Sequence, residues 1–165
     1  MIKLYQKNNL IEFFSKKVRD SLKMQNSKVS EEADFYLVQL LVHYAQSENL
    51  FEKNENGKVE YRALALKFHD AVFAEKDEQK YLHFKSLGDT ALYHAGVFYE
   101  GLYQKLVDVN YYIEMGGMAF SSLANLSTST SVSTGRSMSD LFSELSANFP
   151  ELVEVLYMSL SLIHI

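Results

Sequence analysis

The chain of 165 residues contains no cysteine, no tryptophan and one proline. Without cysteine it can form neither disulfide bonds nor thiolate metal sites, and cysteine-nucleophile chemistry is excluded as well. The first 24 residues lack the continuous apolar core of a secretory signal, and the longest apolar run, residues 35–45, is too short to span a bilayer. We therefore expect a cytoplasmic protein with no integral membrane segment.

Positive charge is scarce in the second half of the chain. Residues 106–165 carry one basic residue against six acidic ones, whereas residues 1–30 carry seven basic residues against two acidic ones. The net charge of -5 argues against general affinity for nucleic acid. The basic N-terminal segment has two interpretations: it is an ordinary outer helix, or residues 1–24 contact an acidic partner or an anionic membrane surface.

Several catalytic and metal-binding motifs are also missing. No Glu is followed three residues later by His, and no two His residues stand four apart, so the spacings of di-iron bundles and zinc proteases are absent. There is no glycine-rich phosphate loop and no Gly-x-Ser-x-Gly turn. The sequence therefore predicts no metal, no cofactor and no nameable catalytic residue.

What the chain does have is a stretch, residues 81–120, that is dense in Phe and Tyr and holds five of the seven glycines. From Leu87 onward apolar residues recur every three or four positions, and the opposite side of that helical pattern is apolar too. A helix that is apolar nearly all round belongs in the middle of a bundle. Gly116 and Gly117 weaken a helix, a cost that makes sense where another backbone approaches closely.

The remaining pattern predicts an all-α, single-domain helical bundle of about six or seven helices. Residues 1–126 would form the main bundle, residues 127–137 a Ser/Thr-rich linker, and residues 138–165 C-terminal helices that pack on the bundle. Pro150 is expected in the first turn of the last helix, where its missing N–H costs little.

Capping residues suggest where individual helices begin. Asn8 or Asn9 is expected to cap a first helix that starts near Leu10, and Ser30 is expected to cap the second. Gly88-Asp89 allows either one continuous helix or a stop followed by a restart.

One further helix has a clean amphipathic pattern. Its apolar stripe is expected to face the core and consists of Tyr61, Leu64, Ala65, Phe68 and Val72.

The best candidates for a site are ionisable groups within the apolar central stretch. Burial raises the pKa of a carboxyl group and lowers that of a histidine, which is how general acids and bases arise. Each group also has a structural interpretation as a helix cap, a core hydrogen-bonding group or a solvated side chain. Two tyrosines could orient a ligand beside them, and the possible ligand pocket is therefore formed by Asp89, Tyr93, His94, Asp108, Tyr112 and Glu114.

Two functions remain open at this point. The first is a non-enzymatic helical interaction or regulatory module that binds a protein partner or a second copy of itself, through an exposed patch on the aromatic-rich helices or through the first helix. The second is a small-molecule binding protein or enzyme that uses the possible ligand pocket.

The run LGDTALYHAGVFYEGLYQKLVDVNYYIEMGGMAFSSLA, residues 87–124, resembles the signature block of a family of small bacterial proteins to which no function is attached. The resemblance implies a cytoplasmic bacterial protein and adds no catalytic residue. The last residues, 160–165, are similar to a translated sequencing adaptor. The natural chain is therefore expected either to end as printed or to continue past Met158 with a different sequence.

Overall fold

The computed structural model describes residues 2–46, 57–100, 106–128 and 137–161. These residues form seven principal helices and no strand, which confirms the predicted all-α, single-domain bundle. The helices are α1 (Ile2–Met24), α2 (Glu31–Gln46), α3 (Gly57–Phe73), α4 (Asp77–Val97), α5 (Leu106–Thr128), α6 (Met138–Ala147) and α7 (Phe149–Ser161).

Helix α4 lies at the centre of the bundle, as the all-round apolar pattern predicts. It contacts α5, α3, α7 and α2, and its second half is buried on nearly every side. Leu87, Ala91 and Leu92 have no exposed surface. Helix α5 covers one side of α4 and in turn carries α6. The stretch from 81 to 120 thus supplies most of two neighbouring helices at the core.

Glycines allow the helices around α4 to approach closely. A Cβ atom built on Gly88 would lie 2.9 Å from the ring of Phe120, and one built on Gly96 would lie 2.8 Å from the Cβ of Leu156. Real Cβ atoms essentially never come within 3.0 Å of such neighbours. The absent side chains at these two positions therefore let α5 and α7 pack directly against the backbone of α4.

The C-terminal helix α7 is part of the core. Phe149, Leu152 and Leu156 are fully buried, and α7 contacts α4, α1 and α5. Pro150 lies in the first turn, as expected. The hydroxyl of Ser21 on α1 donates a hydrogen bond of 2.9 Å to the carbonyl of Val155, so α1 and α7 are joined by a buried polar contact as well as by apolar packing.

Capping explains three helix boundaries. The Ser30 hydroxyl accepts a hydrogen bond from the Ala33 N–H at 3.1 Å, which confirms Ser30 as the cap of α2. Ser137 caps α6 in the same way, with Asp140 as the donor. Helix α1 ends where Asn26 adopts a left-handed φ of 51°, a conformation that Asn tolerates better than most residues.

Two predicted boundaries were wrong. Helix α1 begins at Ile2 rather than near Leu10, so Asn8 and Asn9 are exposed mid-helix residues and cap nothing. The linker was expected from residue 127, but α5 continues to Thr128, and the Ser127 hydroxyl donates to the Leu123 carbonyl within the helix. Residues 129–136 lie outside the described part of the chain.

At Gly88-Asp89 the structure selects one of two predicted alternatives. Helix α4 runs through both residues without a break. Gly88 serves close packing instead of ending the helix.

The predicted core stripe of α3 was also wrong. Leu64 is buried, but Ala65, Phe68 and Val72 are exposed, and Ala71 takes the second buried position. The side chain of Tyr61 lies outside the described part. The extensive contacts of α3 are all with α4, so one narrow line of small and apolar residues is enough to hold it in place.

Adjacent glycines in α5 offer a test of the close-packing argument. A Cβ atom on Gly116 would lie 2.1 Å from the Phe149 ring, whereas one on Gly117 would meet nothing closer than the Ser146 carbonyl at 3.9 Å. We expect Gly116→Ala to lower the free energy of unfolding by about 1–3 kcal/mol through overpacking. Gly117→Ala should raise it by up to about 1 kcal/mol, because alanine favours the helix. Urea denaturation measures both, and equal effects would contradict the packing.

Candidate functional site

A cleft opens between α2 and α4 near the middle of the chain. Its volume is about 260 Å³. Within the described residues, it is lined by Tyr36, Gln39, Leu40, His43, Lys85 and Asp89. A second depression of about 230 Å³ adjoins it and shares three of these residues. The shared residues are His43, Lys85 and Asp89.

The cleft is organised around Asp89, whose side chain is only 17% exposed. One carboxylate oxygen, Oδ1, accepts a hydrogen bond from the Tyr36 hydroxyl. The other, Oδ2, accepts one from the Lys85 ammonium group at 2.8 Å. The Lys85 nitrogen also lies 5.3 Å from the centre of the Tyr36 ring, a cation–π distance. The three side chains form a cluster that joins α2 to α4, and we call it the Asp89 cluster.

The local helix geometry explains this arrangement only in part. Lys85 and Asp89 are four residues apart on α4, so they share a face of the helix. Tyr36 comes from α2, 53 residues earlier in the chain. Its ring packs edge-on against Phe120 and Phe142, which fixes the hydroxyl at the edge of the core.

Burial dominates the electrostatics of the cleft. It raises the pKa of the Asp89 carboxyl group, although Lys85, Tyr36 and His43 pull that pKa down. It also raises the pKa of the Tyr36 hydroxyl, and the neighbouring Asp89 carboxylate raises it further. Burial raises the pKa of Tyr44, at the edge of the second depression, to about 12. Both tyrosines therefore act as neutral hydrogen-bond donors at physiological pH.

Tyr93 and His94 line neither the cleft nor the depression beside it. The Tyr93 ring is buried and stacks on Tyr44, with 3.8 Å between ring centroids. His94 is 5% exposed and lies among Tyr44, Tyr93 and Phe98, at ring distances of 5.7–6.2 Å. Burial, with a smaller contribution from Lys67, lowers its pKa to about 4. His94 is therefore neutral at physiological pH.

The other predicted pocket residues lie on α5. Tyr112 is 1% exposed and belongs to the hydrophobic core, whereas Glu114 is exposed. The backbone of Asp108 lies in the first turn of α5, and its side chain is outside the described residues. Of the five predicted pocket residues whose side chains the structure describes, only Asp89 lines the cleft between α2 and α4.

The residues that accompany Asp89 were not predicted as site residues. The spacing of Lys85 and Asp89 is a visible signal of pairing on one helix face. Tyr36, Gln39 and His43 come from another helix, and nothing in the local sequence shows that they meet Asp89. Their spacing of three and four residues shows only that they share a face of α2.

The chemistry available in the cleft is hydrogen bonding and charge. Gln39, His43 and Lys85 can each donate a hydrogen bond to a bound group. In the described part of the chain, no three His, Asp or Glu residues are grouped so that they could hold a metal ion. Nor is any described helix both long enough and apolar enough to cross a membrane.

A separate feature is a set of exposed apolar side chains on α3. Phe73 is 70% exposed and Leu66 is 63% exposed, and Val72 and Phe68 are 40% and 37% exposed. At 100° per residue, Leu66 and Phe73 lie on one line opposite the buried Leu64 and Ala71, and Phe68 and Val72 lie on a second line roughly 130° away, beside the buried face. We call these four residues the α3 surface.

Comparison with known proteins adds no family to these observations. Neither protein-family models nor curated proteins nor solved structures give a match to this chain.

The buried histidine predicts a pH dependence of stability. The pKa of His94 falls from 6.5 when unfolded to about 4 when folded, so the unfolded chain binds more protons between these values. The contribution of His94 is fully present above pH 6.5 and is lost as the pH falls through about 4. Its size is on the order of 3 kcal/mol.

Urea denaturation between pH 7 and pH 4 measures this contribution. His94→Phe should flatten the dependence of the free energy of unfolding on pH. His69→Gln is the control, because His69 is exposed on α3 and its replacement should keep the wild-type slope. An unchanged slope in His94→Phe would show that another group causes the dependence.

The hydrogen bond from Tyr36 to Asp89 predicts a second difference in stability. Tyr36→Phe leaves a half-buried carboxylate with one donor fewer, and we expect a loss of about 1.5–3 kcal/mol in the free energy of unfolding. Tyr157→Phe is a matched control, because its hydroxyl bonds to Glu100 in solvent and its removal should cost less than about 0.5 kcal/mol. Similar losses in the two variants would argue against a special role for the Asp89 cluster.

Proposed function

We propose that this protein is a non-enzymatic helical module that binds a protein partner through the α3 surface. The observation that carries the proposal is that four large apolar side chains of one helix are exposed, while the extensive contacts of α3 with the other described helices are with α4. Exposed apolar surface concentrated on one element is typical of interaction sites in soluble proteins.

Burying the α3 surface against a partner lowers the free energy relative to leaving it in solvent. Fully burying a Phe or Leu side chain stabilises a complex by roughly 1.5–3 kcal/mol relative to leaving it exposed. Phe73 and Leu66 keep well over half of their surface in solvent, so most of that free energy is available for binding. The same two residues contribute little to the fold, since Leu64 and Ala71 make the buried contacts of α3.

The spacing of the α3 surface favours a helical partner, for which we propose a different protein. Leu66 and Phe73 are seven residues apart on one line, and such a row accepts the ridges of a second helix. Association with a second copy of this chain remains an alternative. Membrane-surface contact through residues 1–24 has less support, because α1 turns Phe14 and Val18 into the bundle. Among the described side chains of α1, the large exposed apolar residues are Phe13 and Met24 alone.

We also propose that the protein acts in the bacterial cytoplasm and belongs to the family whose signature block residues 87–124 resemble. Support for this comes from the sequence of that block. The block spans the second half of α4 and most of α5, which are core helices, so the resemblance concerns the scaffold more than the α3 surface.

A second candidate function is the binding of a small polar molecule in the cleft between α2 and α4. It is favoured by one observation: a half-buried carboxylate with a raised pKa lies at the wall of a cavity of about 260 Å³ that has donors from Gln39, His43 and Lys85. This candidate retains Asp89 from the predicted pocket and replaces the other members.

Site-specific photo-crosslinking in living cells tests the proposal. A photoreactive residue at position 73 should form an adduct with one protein of different identity, and the adduct should disappear in Leu66→Lys. Because Leu66 is exposed, Leu66→Lys should change the free energy of unfolding by less than about 0.5 kcal/mol.

The control places the same photoreactive residue at Gln6, which is exposed on α1. Adducts at position 73 that match those at position 6 would refute the proposal. Adducts that contain only two copies of this chain would replace the protein partner with self-association.

A further inference from the structure

A second groove lies on the outer side of α2 and is distinct from the α3 surface. It has a volume of about 420 Å³ and is lined by Glu31, Glu32, Phe35, Tyr36, Gln39 and Leu141. Tyr36 and Gln39 also line the cleft of the Asp89 cluster. The groove, the cleft and the second depression that adjoins the cleft therefore follow α2 one after the other, and we call them together the α2 trough.

The trough has the dimensions of a peptide site. The trough follows α2 from Glu31 to His43. These two residues are twelve positions apart, so the distance along the helix is about 18 Å at 1.5 Å per residue. A small molecule would fill only one part of such a length, whereas an extended segment or about three turns of helix would fill all of it.

Apolar anchors stand along the trough. Phe35 is 59% exposed beside Leu141 at one end, and Leu82 is 65% exposed where the second depression closes the other end. Exposed apolar side chains that line a concave surface are typical of sites that receive apolar side chains of a peptide.

The charge at the Phe35 end is negative. The first turn of α2 contains Glu31, Glu32 and Asp34, and the positive end of the helix dipole offsets only about half an elementary charge. The carboxylate of Glu144 is bound at the same place, where it accepts hydrogen bonds from the N–H and hydroxyl of Ser30. None of the described residues that line this part of the trough is basic.

We propose that the α2 trough binds a basic, apolar peptide segment of a partner protein. Apolar side chains of the segment pack against Phe35, Leu141 and Leu82. A Lys or Arg beside the first anchor pairs with Glu31 and Glu32. Exposed Met138, one turn before Leu141 on α6, extends the apolar wall at that end. This site is independent of the α3 surface, because the two share no residue.

Binding of two designed helical peptides tests the charge of the occupant. Both peptides carry the same leucine face, and their flanking positions are Lys in one and Glu in the other. In fluorescence anisotropy at low salt the Lys peptide should bind at least roughly tenfold more tightly than the Glu peptide, a difference that added salt reduces. Replacing both acidic residues, Glu31→Gln with Glu32→Gln, should abolish the difference. Equal affinities in the wild-type protein would overturn the inference.

Exposed phenylalanines supply a matched pair of variants for the location of the site. Phe35→Ala should weaken binding of the Lys peptide roughly tenfold or more, while Phe73→Ala on the α3 surface should leave it unchanged. Both residues are more than half exposed, so urea denaturation should show wild-type stability for both variants. Weakening by Phe73→Ala alone would place the peptide on the α3 surface and overturn the inference.

Sedimentation velocity separates a second copy from a different partner. The protein without peptide should sediment as a monomer at the concentrations used for binding. Self-association that Phe35→Ala abolishes would mean that a second copy occupies the trough, which would also overturn the inference.

Discussion

The fold depends on how closely α5 and α7 can approach α4, and on how closely α7 can approach α5. Gly88 admits the Phe120 ring, Gly96 admits Leu156, and Gly116 admits the Phe149 ring. In each case the space that a Cβ atom would need is already taken by a neighbouring side chain. Protein interiors are packed to the density of organic crystals, so these contacts leave little room for adjustment. The positions of α5 and α7 against α4 follow from them.

Much of this core could be predicted from the sequence because it rests on local pattern. A segment that is apolar nearly all round needs other helices to cover it on several sides. This requirement alone predicts that residues 81–120 lie at the centre of the bundle. Gly116 was expected to mark a close approach and does, although the group that approaches is the Phe149 ring and not a backbone. Gly117, its neighbour, lies a further 100° round the helix, and a Cβ atom there would make only an ordinary van der Waals contact with the Ser146 carbonyl.

The failures have a different cause. The apolar stripe of α3 was assigned to the core on the rule that amphipathic helices bury their apolar face. The rule does not say how much apolar surface a neighbouring helix can cover. Helix α4 covers only Leu64 and Ala71, and Phe68 and Val72 are left in solvent. An error in predicting the buried face is therefore itself the evidence for an exposed apolar surface.

Spacing along the sequence could predict only those pocket residues that lie on the same helix. Asp89 and His94 are five residues apart, which turns them about 140° from each other on α4. Asp89 therefore faces α2 and the cleft, whereas His94 lies among aromatic rings. The positive charge of Lys67 on α3 is close enough to His94 to lower the pKa of the histidine. Partners such as Tyr36 are fixed by the way α2 packs, which no spacing along α4 reveals.

The Asp89 cluster explains why a cleft exists between α2 and α4 at all. Tyr44 stacks on Tyr93 and lies 3.4 Å from the Thr90 hydroxyl, which fixes the later part of α2. Tyr36 fixes the earlier part through Asp89. A half-buried ion pair adds little net stability, because desolvation offsets its attraction. Its effect here is on geometry: the hydrogen bond from Tyr36 to Asp89 fixes the earlier part of α2 beside α4, and the cleft is lined by these same two residues.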